Sequence, residues 1–373
     1  MKQLVVLKSR VSHLGGLERY AVAIAKAFAL KDVIVTLLTT GPIIDIAGVK
    51  VISLGDHPKL NIQAVHFFDK AAQKWLKKNP HSIVFGLDRN SHQTHYRAGN
   101  GLHRIFLQKK CTRLVSKVVA RLNPKDRLIL KKEKQLFKSP ELQLLFTNSK
   151  MVKDELIETY QVSPEKIQVV HNGVDFKNYV FNEDSKRESL KKLQISKASS
   201  HLLFVGNDYK RKGLKNLLKA LSLLSSWDFH LSVVGNDKSI VTYQKLADSL
   251  KLSKKITFFG HQNNLAAFYQ SSDCLILPSI YDPFANVTLE ALSMGLFVIT
   301  SQQNGGSEVI TKESGVVLKD MDSSLELKDA LLKLQKINLD INNRRKIRKT
   351  IQHLDINTQL NRIVELTLNP ATS

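Results

Sequence analysis

Cysteine is scarce in this chain of 373 residues, which contains only Cys111 and Cys274. This excludes a disulfide framework and a cysteine-rich zinc site, and it suits a reducing compartment. Long apolar runs are also missing. The longest apolar helical stretch, Tyr20 to Leu30, contains Lys26 and falls short of the roughly 20 residues that a membrane span needs. With no recognisable secretory leader, we expect a cytoplasmic protein that lies on a membrane without crossing it.

Acidic residues are outnumbered, because 33 Asp and Glu face 56 Lys and Arg, a formal net charge of +23. This excess indicates an anionic partner, and nucleic acid, anionic lipid and a phosphate-bearing substrate all qualify. Aromatic residues make up only 7%, and no helix-turn-helix, zinc-finger or aromatic-plus-basic motif occurs. The sequence therefore disfavours a nucleic-acid-binding protein.

Short β-rich runs alternate with amphipathic helical stretches along most of the chain. Strands are predicted at 3–7, 33–38, 82–85, 142–147, 201–205, 229–234, 256–259, 274–277 and 297–300. This alternation predicts α/β domains with parallel sheets and crossover helices, and ligands bind beyond the carboxyl ends of such strands. The pattern restarts near Asp175, which predicts two similar halves. The last amphipathic stretch, Ile356 to Leu368, could pack on either of them.

Two glycine turns follow predicted strands and open predicted helices. Gly15 and Gly16 follow the first strand, where free N–H groups at a helix start favour an anion. A plain tight turn explains this pair equally well. In the second half, Arg211 and Lys212 precede Gly213, and two cations at a helix start suit a diphosphate. A solvated basic loop is the alternative there.

The most specific motif is the segment from Tyr281 to Ala291, which follows a predicted strand. Its two carboxylates, Asp282 and Glu290, have seven residues between them. We place the first in a loop and the second on the first turns of a helix, where both can accept hydrogen bonds from sugar hydroxyls. Roles as a turn residue and an ordinary helix acid are the alternative, but they leave the apolar neighbours Leu289 and Ala291 unexplained.

Histidines cluster between His92 and His103, with His95 between them. Their spacing lacks the H-x-x-x-H pair with an acidic partner that is typical of zinc, so no metal site is predicted. We predict a loop here, which either lines a substrate or is merely structural.

Six motifs in this order resemble the retaining glycosyltransferases of family 4, which have the GT-B fold of two Rossmann-like domains facing a cleft. They are Gly15-Gly16-Leu17-Glu18, His171-Asn172-Gly173-Val174-Asp175, Val205-Gly206 with Arg211-Lys212-Gly213, Asp273 to Ser279, Asp282 to Glu290, and Gly305-Gly306 before Glu308. Within the family, Leu87 to His103 looks most like bacterial lipopolysaccharide core glucosyltransferases, whose acceptor is an inner-core heptose.

The resemblance implies an acceptor-binding domain at residues 1–172, a donor-binding domain at 173–352, and a C-terminal helix within 353–373 that packs back on the first. Arg211 and Lys212 would hold the donor diphosphate, and Asp282, with them in the catalytic set, would contact the donor sugar. The implied donor-binding set is Gly15, Gly16, Gly206, Arg211, Lys212, Phe284, Asn286, Val287, Thr288 and Glu290, with Glu290 on the ribose. The implied acceptor-binding set is His95, Arg97, Asn100 and His103.

Two departures from the family pattern touch these roles. Asp282 is one methylene shorter than the usual Glu, which reduces its reach. Asn100 stands where relatives often carry Asp. Neither a metal nor any cofactor besides the nucleotide-sugar donor is expected.

A strongly basic segment runs from Arg104 to Lys138. It holds twelve Lys and Arg against only Asp126 and Glu133, with leucines and valines interspersed. Polybasic helical segments bind anionic leaflets at about 1 kcal/mol per cation near the surface. We predict that residues 104–138 dock the acceptor domain on the cytoplasmic face of the inner membrane. A solvated helix face is the alternative.

The leading hypothesis is therefore a hexosyltransferase. It would move glucose from UDP-glucose, or a similar UDP-hexose, to a lipid-linked saccharide such as the lipopolysaccharide inner core. The alternatives are another GT-B activity, such as a nucleotide-sugar epimerase, and a basic nucleic-acid-binding protein.

Overall fold

A computed structural model describes residues 2–11, 16–56, 61–110, 123–195, 200–224 and 226–369. Two sequence predictions, Gly15 in the first glycine turn and the middle of the basic segment, lie outside the described residues. The chain forms two compact units, Met1–His171 with Asn357–Ser373, and Asn172–Ile356. Within the described ranges, every helix is too short or too polar to cross a bilayer.

The first unit is built on a seven-stranded sheet in the order β3-β2-β1-β4-β5-β6-β7, and its strands all run parallel. The strands are β1 (Gln3–Leu7), β2 (Ile34–Thr39), β3 (Val49–Ser53), β4 (Ile83–Gly86), β5 (His95–Arg97), β6 (Leu144–Thr147) and β7 (Ile167–Val169). The helices between them are α1 (Gly16–Ala29), α2 (Asn61–Lys78), α3 (His103–Lys110), α4 (Pro124–Phe137) and α5 (Lys150–Tyr160).

The second unit is built on a six-stranded parallel sheet in the order β10-β9-β8-β11-β12-β13. The strands are β8 (Ser200–Val205), β9 (Phe229–Val234), β10 (Ile256–Gly260), β11 (Cys274–Leu277), β12 (Phe297–Ser301) and β13 (Gly315–Leu318). The helices are α6 (Glu183–Lys192), α7 (Leu214–Ser222), α8 (Ile240–Ser249), α9 (Ala266–Ser271), α10 (Asn286–Ser293), α11 (Ser324–Gln335) and α12 (Ile341–Thr350), and α13 (Ile356–Leu368) follows.

The central strands are apolar runs rather than alternating ones. All six residues of β9 and all four of β11 are buried. A parallel sheet covered by helices on both faces requires this, because neither face meets water. The core of the second unit therefore forms one cluster on both sides of its sheet.

Each sheet reverses its strand order once, and these two places position the candidate sites. In the first unit the chain moves outward from β1 to β3 on one side and from β4 to β7 on the other. In the second unit the reversal lies between β8 and β11, which are directly paired. Ligands of open parallel sheets bind at such reversals, beyond the carboxyl ends of the strands.

The sequence predictions for long apolar strands are confirmed, and those for short polar segments are not. Strands 3–7, 229–234 and 274–277 have the predicted bounds. The predicted loop between His92 and His103 is wrong for His95–Arg97, which form the buried strand β5. Three residues are too few to show a period, and β4 and β6 on either side supply the hydrogen bonds that make this segment a strand.

Candidate active site

The loop after β8 is shaped by glycine at both ends. A Cβ atom on Gly206 would lie 2.7 Å from Cγ of Lys212, so the lysine stem packs directly on the glycine backbone. Gly213 has a φ of 82°, and a Cβ there would lie 2.1 Å from the carbonyl oxygen of Pro278. The backbone of Arg211 also accepts a 2.7 Å hydrogen bond from the N–H of Ile280. The loop is thus held against the segment that follows β11.

Two cations of this loop share one carboxylate. The Nζ atom of Lys212 lies 2.6 Å from Oδ2 of Asp282, and Nη1 of Arg211 lies 2.8 Å from the same oxygen. The side chains of Lys212 and Asp282 are only 9% and 11% exposed. Asp208 lies 3.6 Å from Nε of Arg211, but it is 44% exposed, so water screens that contact. Arg211 is 28% exposed, so the buried pair of Lys212 and Asp282 is neutral, and the half-buried Arg211 adds one positive charge beside it.

Asp282 is held in its ionised form. Burial alone would raise the pKa of this carboxyl, but the adjacent Lys212 ammonium and Arg211 guanidinium outweigh burial, and its pKa lies below the usual value. The other carboxylate oxygen accepts a 3.2 Å hydrogen bond from the N–H of Phe284. Asp282 thus orients both cations and the segment that leads into α10.

The start of α10 lies just after this cluster. Its N-cap residue is Ala285, whose methyl side chain makes no capping hydrogen bond. Asn286 is exposed and Val287 half-buried. The first N–H groups of a helix carry partial positive charge and bind anions. The predicted donor-binding residues Asn286 and Val287 therefore stand where an anion finds backbone donors.

Glu290 lies further along α10 and has a defined partner. Its Oε2 atom accepts a 2.5 Å hydrogen bond from the hydroxyl of Tyr269. Burial, followed by the nearby Glu290 charge, raises the pKa of Tyr269 well above its usual value, so the phenol stays a donor. Glu290 itself is half-buried. Its carboxylate is thus oriented and partly reachable.

Two of the predicted donor-binding side chains are structural. Thr288 is fully buried, and Phe284 is 5% exposed and belongs to the core of the second unit. Their side chains help to set the position of α10. Any direct contact of these two with a donor stays a prediction.

Asn304 is a residue that the sequence did not point to. Its Oδ1 atom accepts hydrogen bonds from the N–H groups of Ala285, at 3.1 Å, and Gly306, at 3.0 Å. Its Nδ2 atom donates to the hydroxyls of Thr288 and Thr300. The residue is fully buried, and its bonds connect the start of α10, at Ala285 and Thr288, to Thr300 of β12 and to Gly306. The only sequence signal was its place before the Gly305-Gly306 pair.

The predicted acceptor-binding residues of the first unit differ in their exposure to solvent. His95 and Arg97 are only 3% and 5% exposed, and burial lowers the pKa of His95 to about 4, so it is neutral. Asn100 is exposed, and His103 begins α3 with its Nε2 atom 2.8 Å from Asp126. The structure therefore does not bring the four to a common surface. Gly16 is the first residue of α1, as a helix-start role requires.

The basic segment is also only partly as expected. Lys132 is buried and pairs with Asp69 of α2, so it does not contribute to a basic surface. Glu133 is buried beside it and accepts hydrogen bonds from Arg89, the hydroxyl of Tyr160 and the backbone at the start of α3. The inward face of α4 is thus ionic. Counting charges in the sequence does not distinguish a buried lysine from an exposed one.

No cluster of three or more His, Cys, Asp or Glu in the described ranges is arranged to hold a metal ion. The expectation that the reaction needs no metal stays a prediction.

Two family models match the chain in succession. The model described as Glycosyltransferase Family 4 matches residues 14–178, and the one described as Glycosyl transferases group 1 matches residues 185–353. Among curated relatives, the lipopolysaccharide glucosyltransferase WaaG of Escherichia coli is 29% identical over 181 residues, which are 47% of this chain and 48% of WaaG. The chain spans about half the length of the curated relatives it matches.

Solved structures match over nearly the whole chain. The crystal structure of WaaG has a TM-score of 0.80 and 21% identity, with 98% of this chain and 100% of that chain covered. HepE of Anabaena in complex with UDP has a TM-score of 0.72 and 16% identity, with 99% of each chain covered. These likenesses establish the fold. Because both models describe glycosyltransferases and together match most of the chain, the chain is a glycosyltransferase with a family 4 domain followed by a group 1 domain, and it has the GT-B fold of WaaG.

Proposed function

We propose that this chain is a retaining hexosyltransferase that moves glucose from UDP-glucose to a lipid-linked glycan such as the lipopolysaccharide inner core. The observation that carries the proposal is the sharing of Asp282 by Arg211 and Lys212 beside the start of α10. The names of WaaG as a lipopolysaccharide glucosyltransferase and of HepE as a UDP complex support the choice of sugar, acceptor and base.

The leaving group of such a donor is a nucleoside diphosphate, whose negative charge grows as its bond to the sugar breaks. Arg211 and Lys212 bind this diphosphate together with the first N–H groups of α10. The excess of positive charge makes the interaction strongest when the leaving group is fully charged, which is the condition for lowering a barrier. These cations meet the charge without a metal ion.

Asp282 and Glu290 recognise hydroxyl groups. Before the donor binds, Asp282 neutralises part of the cation pair. Once the diphosphate becomes the partner of the cations, the carboxylate accepts a hydrogen bond from the hexose, despite its short side chain. Glu290, oriented by Tyr269, accepts from the ribose hydroxyls.

The reaction exchanges one bond for another at the anomeric carbon. The bond to the diphosphate oxygen breaks, and a bond to the acceptor oxygen forms on the same face of the sugar. The proton of the acceptor hydroxyl passes to the departing phosphate oxygen, so charge balances and the anomeric configuration is retained.

The test of this proposal is Lys212→Ala. We expect transfer from UDP-glucose to a deacylated core oligosaccharide to fall at least about 100-fold, since one charge-stabilising donor is typically worth this much. We expect UDP to bind about tenfold more weakly by calorimetry. Product mass spectrometry measures the transfer.

The matched control is Lys210→Ala, because Lys210 lies in the same loop but is exposed. It removes the same charge and should leave the transfer rate within about twofold. An unchanged rate in Lys212→Ala would refute the role of the cation pair. If an epimerised nucleotide-sugar formed without added acceptor, the activity would be epimerisation rather than transfer.

We further propose that the first unit docks on the cytoplasmic face of the inner membrane through α4. Arg127, Lys131, Lys134 and Lys138 are exposed and spaced by four, three and four residues, which places them on one helix face. Lys132 and Glu133 face inward and anchor the helix. A row of cations on an anchored helix suits an anionic lipid surface.

Liposome sedimentation tests this surface. Changing Arg127, Lys131 and Lys134 together to Gln should weaken binding to anionic vesicles by roughly 100-fold or more, since three cations at about 1 kcal/mol each amount to about 3 kcal/mol. The control changes Arg345, Lys346 and Lys349 to Gln, which removes the same charges from the exposed face of α12. Equal binding of the native chain to neutral and anionic vesicles would contradict the proposal.

A further inference from the structure

A second ion pair stands at the strand-order reversal of the first unit. Lys8 and Ser9 directly follow β1, and Asp88 lies two residues after β4, the strand paired with β1 across the reversal. The N–H of Leu87 donates a 3.0 Å hydrogen bond to the carbonyl of Leu7, so the sheet pairing continues up to these residues. Three polar side chains therefore meet at the place where a parallel sheet binds its ligand.

Asp88 is held in place by three donors. The Nζ atom of Lys8 lies 2.7 Å from Oδ1, and the N–H and hydroxyl of Ser9 each lie 2.7 Å from Oδ2. Burial alone would raise the pKa of Asp88, but Lys8 and Ser9 outweigh it, and the pKa lies below its usual value. The carboxylate is thus ionised and rigidly oriented.

Asp88 is also partly reachable. Its side chain is 23% exposed, whereas the paired carboxylates of Asp69 and Glu133 in the same unit are 10% and 0% exposed. Glu133 accepts from four donors and is closed off from solvent. A carboxylate has about four lone-pair positions, so Asp88 keeps room for one more donor.

An independent observation comes from Gln93, which lies over the end of β4. A Cβ atom on Gly86 would lie 1.7 Å from Oε1 of Gln93, and Nδ2 of Asn90 donates to the backbone of Asp88 and to that oxygen. Gln93 is 2% exposed, and its Nε2 atom has no hydrogen-bond partner among the described residues. Buried polar groups are nearly always paired, so this donor indicates a partner with an acceptor oxygen.

The charges at this site select the class of ligand. One ammonium and one carboxylate cancel, so an anion gains little there. A carboxylate that accepts and a carboxamide that donates suit neighbouring hydroxyls of a neutral polyol. We propose that Asp88 and Gln93 form the acceptor-sugar subsite of the first unit, in which Asp88 accepts a hydrogen bond from an acceptor hydroxyl and Lys8 positions the carboxylate. This subsite rests on the transferase function proposed above.

The test is Asp88→Asn in the full chain, with Asp154→Asn as the control, since Asp154 is exposed on α5 of the same unit. The probes are a heptose disaccharide and methyl hexosides, observed by saturation-transfer NMR with UDP present. We expect the sugar signals to fall at least about tenfold in Asp88→Asn and to persist in the control, because a hydrogen bond to a charged group is lost. The acceptor KM should rise by a similar factor at unchanged donor KM.

UDP calorimetry and the melting temperature separate the possible outcomes. Intact UDP binding in Asp88→Asn would show that the variant is folded. Should that variant melt early, Gln93→Leu gives the second measurement, with a sugar signal lowered several-fold. Unchanged sugar signals and acceptor KM in both variants would overturn the subsite, as would a native chain that binds UDP but none of the sugars. Failure of the native chain to bind UDP would count against the transferase proposal, while the sugar signals would still decide the subsite.

Discussion

The two units place the same kind of pair at the same point of two different sheets. In the first, Lys8 follows the first strand and meets Asp88 from across the reversal at 2.7 Å. In the second, Lys212 follows the first strand and meets Asp282 from across the reversal at 2.6 Å. The difference is the additional cation, Arg211, which shares the second carboxylate.

Under the two proposals above, that one extra charge separates two ligand classes. A balanced pair favours a neutral sugar, and an excess of one cation favours an anion. The common topology brings loops from either side of the reversal together, but it does not choose the ligand. We infer that the number of charges at the reversal, rather than the fold around it, divides the donor and acceptor roles between the units.

The largest expected effect breaks the pair in the second unit. Asp282→Asn should lower transfer at least about 100-fold, because the cations and the donor hexose lose their common partner. UDP should bind about three- to tenfold more tightly at low salt, since the carboxylate no longer competes for Arg211 and Lys212. Calorimetry and product analysis measure both. In Asp88→Asn, by contrast, UDP affinity should not change, and parallel changes in both variants would refute the division of roles.

Asn304→Ala should have the next largest effect. It leaves the N–H groups of Ala285 and Gly306 without their acceptor, so the free energy of unfolding should fall by about 2–4 kcal/mol. UDP binding should weaken because the start of α10 is no longer fixed. Urea denaturation and calorimetry measure the two effects.

The control for Asn304→Ala is Asn182→Ala, which removes the exposed N-cap of α6 in the same unit. It should cost about 1 kcal/mol and leave UDP binding intact. If the two sites are independent, sugar binding to the first unit survives in Asn304→Ala. Loss of sugar binding in that variant would show that the two sites are coupled.

The sequence predicted those site residues that lie within local motifs, and it missed those whose partners are distant along the chain. Arg211, Lys212 and Asp282 fall in motifs near predicted strand ends, and the structure brings them together. Asp88 and Lys8 are 80 positions apart, and no local pattern marks either of them. Their pairing depends on which strands are neighbours, and that is decided by the packing of the whole sheet.

The same limit applies to the fold. Fully buried strands such as β9 stand out as apolar runs, whereas β5 is a strand only because two neighbours pair with it. Lys132 could not be assigned to the interior from sequence, since its partner Asp69 lies 63 positions away. Burial of a charge is decided by a distant counter-charge rather than by the residue itself.

An effect that is smaller per pH unit, and shared by both units, is expected from pH. Burial lowers the pKa of His95 in the first unit and of His230 in the second to about 4. The unfolded chain protonates these histidines near pH 6.5, whereas the folded chain does so only near pH 4. Their contribution to the free energy of unfolding is therefore fully present above pH 6.5 and is lost as the pH drops toward 4. Each histidine contributes up to about 1.4 kcal/mol per pH unit.

Urea denaturation at pH 6.5, 5.5 and 4.5 measures this dependence. His95→Gln and His230→Gln should each remove one proton from the slope, because each takes away one group that is neutral when buried. The sign should be the same in both units, since burial is the leading cause in each. If neither variant changed the slope of the free energy of unfolding against pH, other groups would be responsible for the pH dependence.

The smallest expected effect is none at all, on treatment with a chelator. If Arg211 and Lys212 supply the positive charge that meets the departing diphosphate, then EDTA should leave the transfer rate within about twofold, and added Mg²⁺ should not raise it. The same treatment of Lys212→Ala sharpens the comparison, because a metal ion could then replace the missing cation. Partial rescue of that variant by Mg²⁺ would support charge as the function of Lys212. A native chain that stops in EDTA and recovers with Mg²⁺ would instead place part of that charge on a metal, and the extra arginine would no longer explain why the two units differ.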